Sequence, residues 1–171
     1  MTTGVPIPLS DAARRYPWAV RPLTAAHAAL LRGTRGLFAA RWFGAPALVL
    51  ETRGRRTGSV RRAALVYLPD GDDYVVVASN AGAERPPAWY LNLRAAGESF
   101  VYVRGARLRV KPTVVDGARR ESLWRRFAAV APVEHYQRQA ARALPVVALT
   151  ARPQPAPQAS RSLAWAISWA G

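Results

Sequence analysis

Two short stretches carry residue types that could do chemistry together. The first, "ETRGRRTGSVRR" at 51–62, sets Arg53, Arg55, Arg56, Arg61 and Arg62 around Gly54, Thr57 and Gly58. Glycine frees a backbone to expose its amides, threonine offers a hydroxyl, and guanidinium groups present forked donors matched to phosphate or carboxylate. The second, "ASNAGAERPPAWYLNL" at 78–93, passes from Ser79 and Asn80 through Ala81, Gly82 and Ala83 to Trp89 and Asn92. Small residues at a strand end let a flat ring approach the backbone, whose amides can bond the ring's edge. Each stretch also has an ordinary reading: a solvated hairpin tip for the first, a strand-to-helix connection with a core tryptophan for the second. Neither contains the GxxxxGK[ST] of a Walker loop or the GxGxxG of a dinucleotide fold.

Composition removes several other chemistries. The 171 residues include no cysteine, which rules out thiolate catalysis and cysteine-ligated metal. His27 and His135 are the only histidines and lie in no metal-ligand spacing, so no metal is expected. The net charge of +15 is almost wholly arginine, with Lys111 the single lysine. Such charge can mark a nucleic-acid binder. Here the arginines are spread over every segment and no RRM, KH or helix-turn-helix signature accompanies them, so nucleic acid is not an expected partner. The N-terminal "MTTGVPIPLSD" has no basic-then-apolar signal pattern, and no run approaches the length of a membrane span. The expected location is cytoplasmic.

The elements that position the two stretches follow from periodicity. Residues 1–22 are proline-punctuated and read as an irregular leader. The segment from Leu23 to Trp42 has helical spacing, and it carries Arg32, Arg35 and Arg41 with no acidic residue. A basic amphipathic segment of this kind can also lie on an anionic membrane. Strands are expected at 47–52, 62–68, 74–79, 99–104, 106–115 and 145–150. Asp70-Gly71 and Gly105 mark tight turns between strands. Helices are expected at 86–97, from a proline start to a glycine end, then after Asp116 and over 133–143. About six mostly antiparallel strands with flanking helices give an α+β fold, a small, partly closed barrel formed as one domain over 23–150. Residues 151–171 form a Pro-rich linker and a tail bearing Trp165 and Trp169, a second candidate for membrane contact.

The two stretches together, in this order, resemble the deazaflavin-dependent nitroreductase family, split β-barrel proteins that bind coenzyme F420. The likeness runs from about residue 25 to "LPVVAL" near 150. It implies F420, an 8-hydroxy-5-deazaflavin with a phosphodiester and glutamate tail, as the cofactor. By resemblance Arg55, Arg56, Thr57 and Arg61 hold the phosphate and acidic tail, while Ala78, Ser79, Asn80, Gly82 and Ala83 cradle the ring. Ala64, Trp89 and Asn92 complete that pocket. Tyr67 and Tyr136 fall on the substrate side, and Ser79 and Tyr136 are the candidates to bond the acceptor or relay a proton. Arg53 and Arg62 are left to solvent. Some positions depart from the family pattern: Ala64 replaces a usual proline, Asn80 a frequent lysine, Ala81 a frequent glycine, Pro86 a common histidine and Ala131 a frequent tyrosine.

The reaction this implies is hydride transfer from reduced F420 to a small electrophile: a quinone, a nitro compound or an activated alkene. A non-catalytic carrier of deazaflavin, flavin or haem is the alternative of a different class. Oligomeric state is not fixed by any feature of the sequence.

Overall fold

The computed structural model describes residues 41–42 and 45–152. The leader, most of the expected helix at 23–42, and the tail from residue 153 lie outside the described residues. Arg41–Trp42, expected to end that helix, instead form a two-residue strand, β1, against the start of β2 (Ala45–Arg53). The later strands are β3 (Val60–Val66), β4 (Leu68–Asp70), β5 (Asp73–Val77), β6 (Ser99–Val103), β7 (Ala106–Val114) and β8 (Val146–Ala151). Every pairing is antiparallel, in the order β1-β2-β6-β7-β8-β5-β4, with β3 also paired to β2. The sheet curls into a split-barrel-like α+β fold. The expected strand at 62–68 divides at Tyr67, whose amide bonds Pro46 O, and this produces β4.

Three helices among the described residues pack on this sheet: α1 (Ala88–Ala96), α2 (Gly117–Ala128) and α3 (Val133–Gln139). Strand alternation explains how β8 serves two cores at once. Val147 and Leu149 join Leu48, Leu50, Val76, Val101 and Val110 beneath Tyr90 and Leu93 of α1. Val146 and Ala148 face the other way, against Leu123 and Phe127 of α2 and Val133 of α3. Full burial of a side chain such as Leu123 or Phe127 contributes roughly 2–3 kcal/mol.

The boundaries of α1 set one wall of the site. Pro87 at its N-cap cannot donate a backbone hydrogen bond and enters extended (ψ 146°). Gly97 ends it in the left-handed region (φ 71°), and its amide bonds Leu93 O. Between β6 and β7, Arg104 and Gly105 both take positive φ, as the tightest two-residue hairpin turn requires. Helix α3 is shorter than the expected 133–143. Gln137 accounts for this, because its Nε2 donates to Arg142 O and its Oε1 accepts from Leu144 N, turning the chain away at Ala140.

Candidate functional site

The arginine turn and the start of α1 line one cavity of about 450 Å³. The turn joins β2 to β3 and is built on backbone. Gly54 N donates to Ser59 O, and Gly58, at φ +67°, donates to Gly54 O at 2.7 Å. A Cβ on Gly54 would lie 2.9 Å from Thr57 Oγ1, so a side chain there would displace the threonine hydroxyl. The hairpin register pairs Arg53 with Val60 and Thr52 with Arg61, which lifts residues 54–59 above the sheet.

Arg55 is held from below. Its backbone N and its Nη1 both donate to Asn92 Oδ1 at 3.2 Å, and Asn92 Nδ2 donates to Thr52 Oγ1. Asn92 is 4% exposed, so this buried amide fastens α1 to the turn. Arg56 and Arg61 are exposed, and among the described residues neither has a carboxylate partner. Arg62 differs: it is exposed, as expected of a residue left to solvent, and it is also paired. Its Nε and Nη2 both lie 2.9 Å from Glu51 Oε2, while Arg107 Nη2 reaches Oε1 at 3.0 Å. Burial pushes the Glu51 carboxyl up, but hydrogen bonds from Arg107, Arg62 and Tyr102 outweigh it and hold the group below its ordinary value.

The opposite wall consists of Asn80, Pro87, Ala88 and Trp89. Ala88 and Trp89 begin α1, ahead of its own hydrogen-bond ladder, so their amides are the helix's unpaired donors and add positive potential. Asn80 opens a single 3-10 turn, Asn80–Gly82, in which all three residues have positive φ (51°, 52° and 82°). Asparagine tolerates that region and glycine is free in it, whereas Ala81 is strained by about 1–2 kcal/mol. Asn80 Nδ2 offsets part of this by donating to Arg85 O. Gly82 cannot be replaced either, since a Cβ there would sit 2.9 Å from Gln139 Cβ on α3.

The cavity therefore brings together Arg55, Arg56, Thr57, Arg61, Asn80, Trp89 and Asn92. The other expected site residues lie elsewhere. Ala64 is on the opposite face of β3, packed against Ala47, Val49 and Tyr102. Ala63 lines the cavity in its place, on the same face of β3 as Arg61 by strand alternation. Ala78 is fully buried. Ser79, Gly82 and Ala83 form the turn behind Asn80 without lining the cavity. Tyr67 is in the core, edge-on to Tyr74 at 5.4 Å. Tyr136 is on α3 behind the turn, and burial pushes its hydroxyl pKa up, so it stays protonated at neutral pH. Thr52, Gly54, Arg62, Pro87 and Ala88 are lining residues that the motif comparison did not single out. No group of three His, Asp or Glu able to hold a metal occurs among the described residues, and no helix among them is long and apolar enough to cross a membrane.

Known proteins resemble this chain closely. Residues 23–151 match the profile of a family described as F420H(2)-dependent quinone reductase. An F420H(2)-dependent quinone reductase of Mycobacterium tuberculosis is 37% identical over 137 residues, which cover 74% of this chain and 88% of that protein. A solved F420-H2 dependent reductase, FDR-A, superposes with a TM-score of 0.54 at 27% identity, covering 61% of this chain and 93% of its own. A second solved relative, a domain-swapped dimer, gives 0.56 at 26% identity over 76% of this chain and 96% of its own.

Proposed function

The chain belongs to the F420H(2)-dependent quinone reductase family, and from that premise we propose that it reduces a quinone with F420H2 held in the cavity between the arginine turn and α1. The observation that carries this reading is the division of labour across that cavity. One wall offers Arg56 and Arg61, which have no carboxylate partner among the described residues, and the other offers the first amides of α1 beside the flat indole of Trp89. A ligand with an anionic tail and an aromatic head suits this donor set, and the residues present fit the coenzyme.

Reduced F420, when bound, supplies the hydride. The residues of this chain bind, orient and exclude water around it. Arg56, Arg61 and the Ala88 and Trp89 amides hold the anionic tail, with charge-assisted bonds about twice as strong as neutral ones. Arg55 takes part from a fixed position, since Asn92 already orients its guanidinium. Asn80, Pro87 and Trp89 offer the face against which the flat ring of the coenzyme would lie. Reduction of a quinone by hydride also needs a proton at the quinone oxygen. Ser79, which precedes Asn80 and whose hydroxyl has no partner among the described residues, and Tyr136, kept protonated by burial on α3 behind the turn, are the candidates to supply it.

The test is a titration of the purified protein with oxidised F420, followed by the coenzyme's fluorescence, and then steady-state oxidation of F420H2 with a panel of quinones, nitro compounds and activated alkenes. Binding at or below tens of micromolar with turnover on quinones supports the proposal. Absence of binding sinks it, and tight binding without turnover on any acceptor assigns the protein to carriage instead. Ser79→Ala and Tyr136→Phe should lower kcat while leaving the F420 affinity within a factor of about two. A loss of affinity equal to the loss of kcat would remove both residues from the proton-donor role.

A further inference from the structure

We propose that Arg142, which belongs to neither motif, is a positioning residue for the coenzyme and acts through the Ala78–Glu84 segment; the inference rests on the reading of the cavity given above. Arg142 follows α3, and its guanidinium bonds three backbone carbonyls of that segment. Nη2 donates to Ala78 O and to Ser79 O, each at 3.2 Å, and Nε donates to Glu84 O at 3.0 Å. These carbonyls bracket the strained Asn80–Gly82 turn on both sides. The remaining nitrogen, Nη1, is buried and has no hydrogen-bond partner. Among the described residues no carboxylate pairs with Arg142. A guanidinium placed this way, with one buried donor unspent, is costly to keep unless its geometry serves something.

Planar peptides transmit the effect. Each trans peptide carries its N–H on the side opposite its C=O, and the described chain has no cis bond. By drawing the Ala78 and Ser79 carbonyls toward itself, Arg142 turns the following amides, those of Ser79 and Asn80, to the far side. It thereby fixes the rotation of the backbone that delivers the Asn80 side chain to the cavity. The left-handed conformation at Ala81 would otherwise relax, because an alanine favours it far less than a glycine does. The clasp is itself anchored. Gln137 on α3 holds Arg142 O and Leu144 N, and Gly82 packs against Gln139 and the Tyr136 carbonyl. Helix α3, the Arg142 fork and the turn thus form one unit behind the coenzyme wall. Its function depends on the planar fork more than on the charge, since an ammonium cannot bond carbonyls at both ends of the segment at once.

The experiment compares wild type with Arg142→Lys, Arg142→Gln and Gln137→Leu, and uses Asp70→Asn as a control for global destabilisation. F420 affinity is read by fluorescence, kcat and quinone KM by turnover, and Tm by thermal melting. Arg142→Lys and Arg142→Gln should both weaken F420 binding by roughly tenfold and lower kcat, with quinone KM unchanged. Gln137→Leu, which loosens the anchor and keeps the fork, should change affinity in the same sense by a smaller factor. Asp70→Asn should lower Tm and leave affinity as it is. Full retention of affinity in Arg142→Lys would overturn the fork in favour of charge alone. Wild-type affinity in Arg142→Gln, or in Gln137→Leu if the Arg142 variants do not fold, would overturn the proposal. Failure of wild type itself to bind F420 would instead overturn the reading of the cavity, so the two failures are separable.

Discussion

Arginines are used in two opposite ways in this molecule. At the β4–β5 hairpin, Arg119 bonds Asp70 at 2.8 Å and Asp73 at 2.6 Å, and Arg126 bonds Asp70 at 2.9 Å. That cluster ties α2 to the sheet, and its charge is spent within the fold. In the 53–62 turn the density of arginine is higher, yet among the described residues only Arg62 reaches a carboxylate. Arg55 is oriented by a neutral amide, while Arg56 and Arg61 have no acidic partner among the described residues. Clustering alone therefore says little about anion binding. The informative quantity is how much of the positive charge is already neutralised by the chain itself.

The sharpest way to break this contrast is to reverse the unspent charge. Arg56→Glu/Arg61→Glu should weaken F420 binding by at least ~100-fold, as two charge-assisted bonds give way to repulsion. Its melting temperature should hold, because neither side chain has a hydrogen-bond or ion-pair partner among the described residues. Equal affinity in this variant, measured by fluorescence titration, would remove the anion-binding reading. Next in size is Asn92→Leu. It strips the acceptor from Arg55 N and Nη1 and leaves Thr52 without its donor, so a loss of about 1–3 kcal/mol is expected in urea unfolding. A weaker grip on F420 should accompany it, since Arg55 is then free to move. Stability unchanged within error would show that the turn does not need its buried strut.

These cases also mark what could be read in the sequence. The two motifs, the proline and glycine that bound α1, and the β-rich apolar runs of β5 and β8 are local signals, and the structure reproduces the elements they predict. Partner choice is not local. Glu51 meets Arg107 across 56 positions and Arg142 meets Ser79 across 63, contacts that exist only once the strand register and the turn after α3 are fixed. The same cause misplaced Ala64, since a single step along β3 exchanges the cavity face for the opposite one. The early end of α3 had no signal in backbone propensity either, because a glutamine side chain sets it by capturing the loop beyond.

The neutralised cluster should answer to pH where the turn does not. Hydrogen bonds from Arg119 and Arg126 hold the Asp70 carboxyl below its ordinary value, so folding favours the ionised form. With a depressed folded pKa, the stabilisation is complete above the unfolded value of about 4 and is lost as pH falls through the folded one. Asp70→Asn should accordingly be less stable than wild type by about 1 kcal/mol at neutral pH, with the gap closing in acid. Urea midpoints at both ends of that range check this, and a gap that persists in acid would assign the loss to packing.

Arg62→Gln carries the smallest expected effect and tests the contrast most directly, because Arg62 shares both regimes. It lines the cavity with Arg61, yet its guanidinium is committed to Glu51. If proximity to the cavity governed anion binding, its loss should cost as much as that of Arg61. If only unspent charge matters, F420 affinity should shift by no more than about twofold, the residual effect of an exposed charge already neutralised by Glu51. The fold should tolerate the change, since Glu51 keeps Arg107 and the Tyr102 hydroxyl, and an exposed ion pair contributes only about 0–1 kcal/mol. Arg61→Gln, measured beside it, should lose affinity several-fold more. Equal losses at the two positions would mean that a cation already paired with Glu51 is recruited by the ligand, and that neutralisation within the fold does not decide which arginines bind.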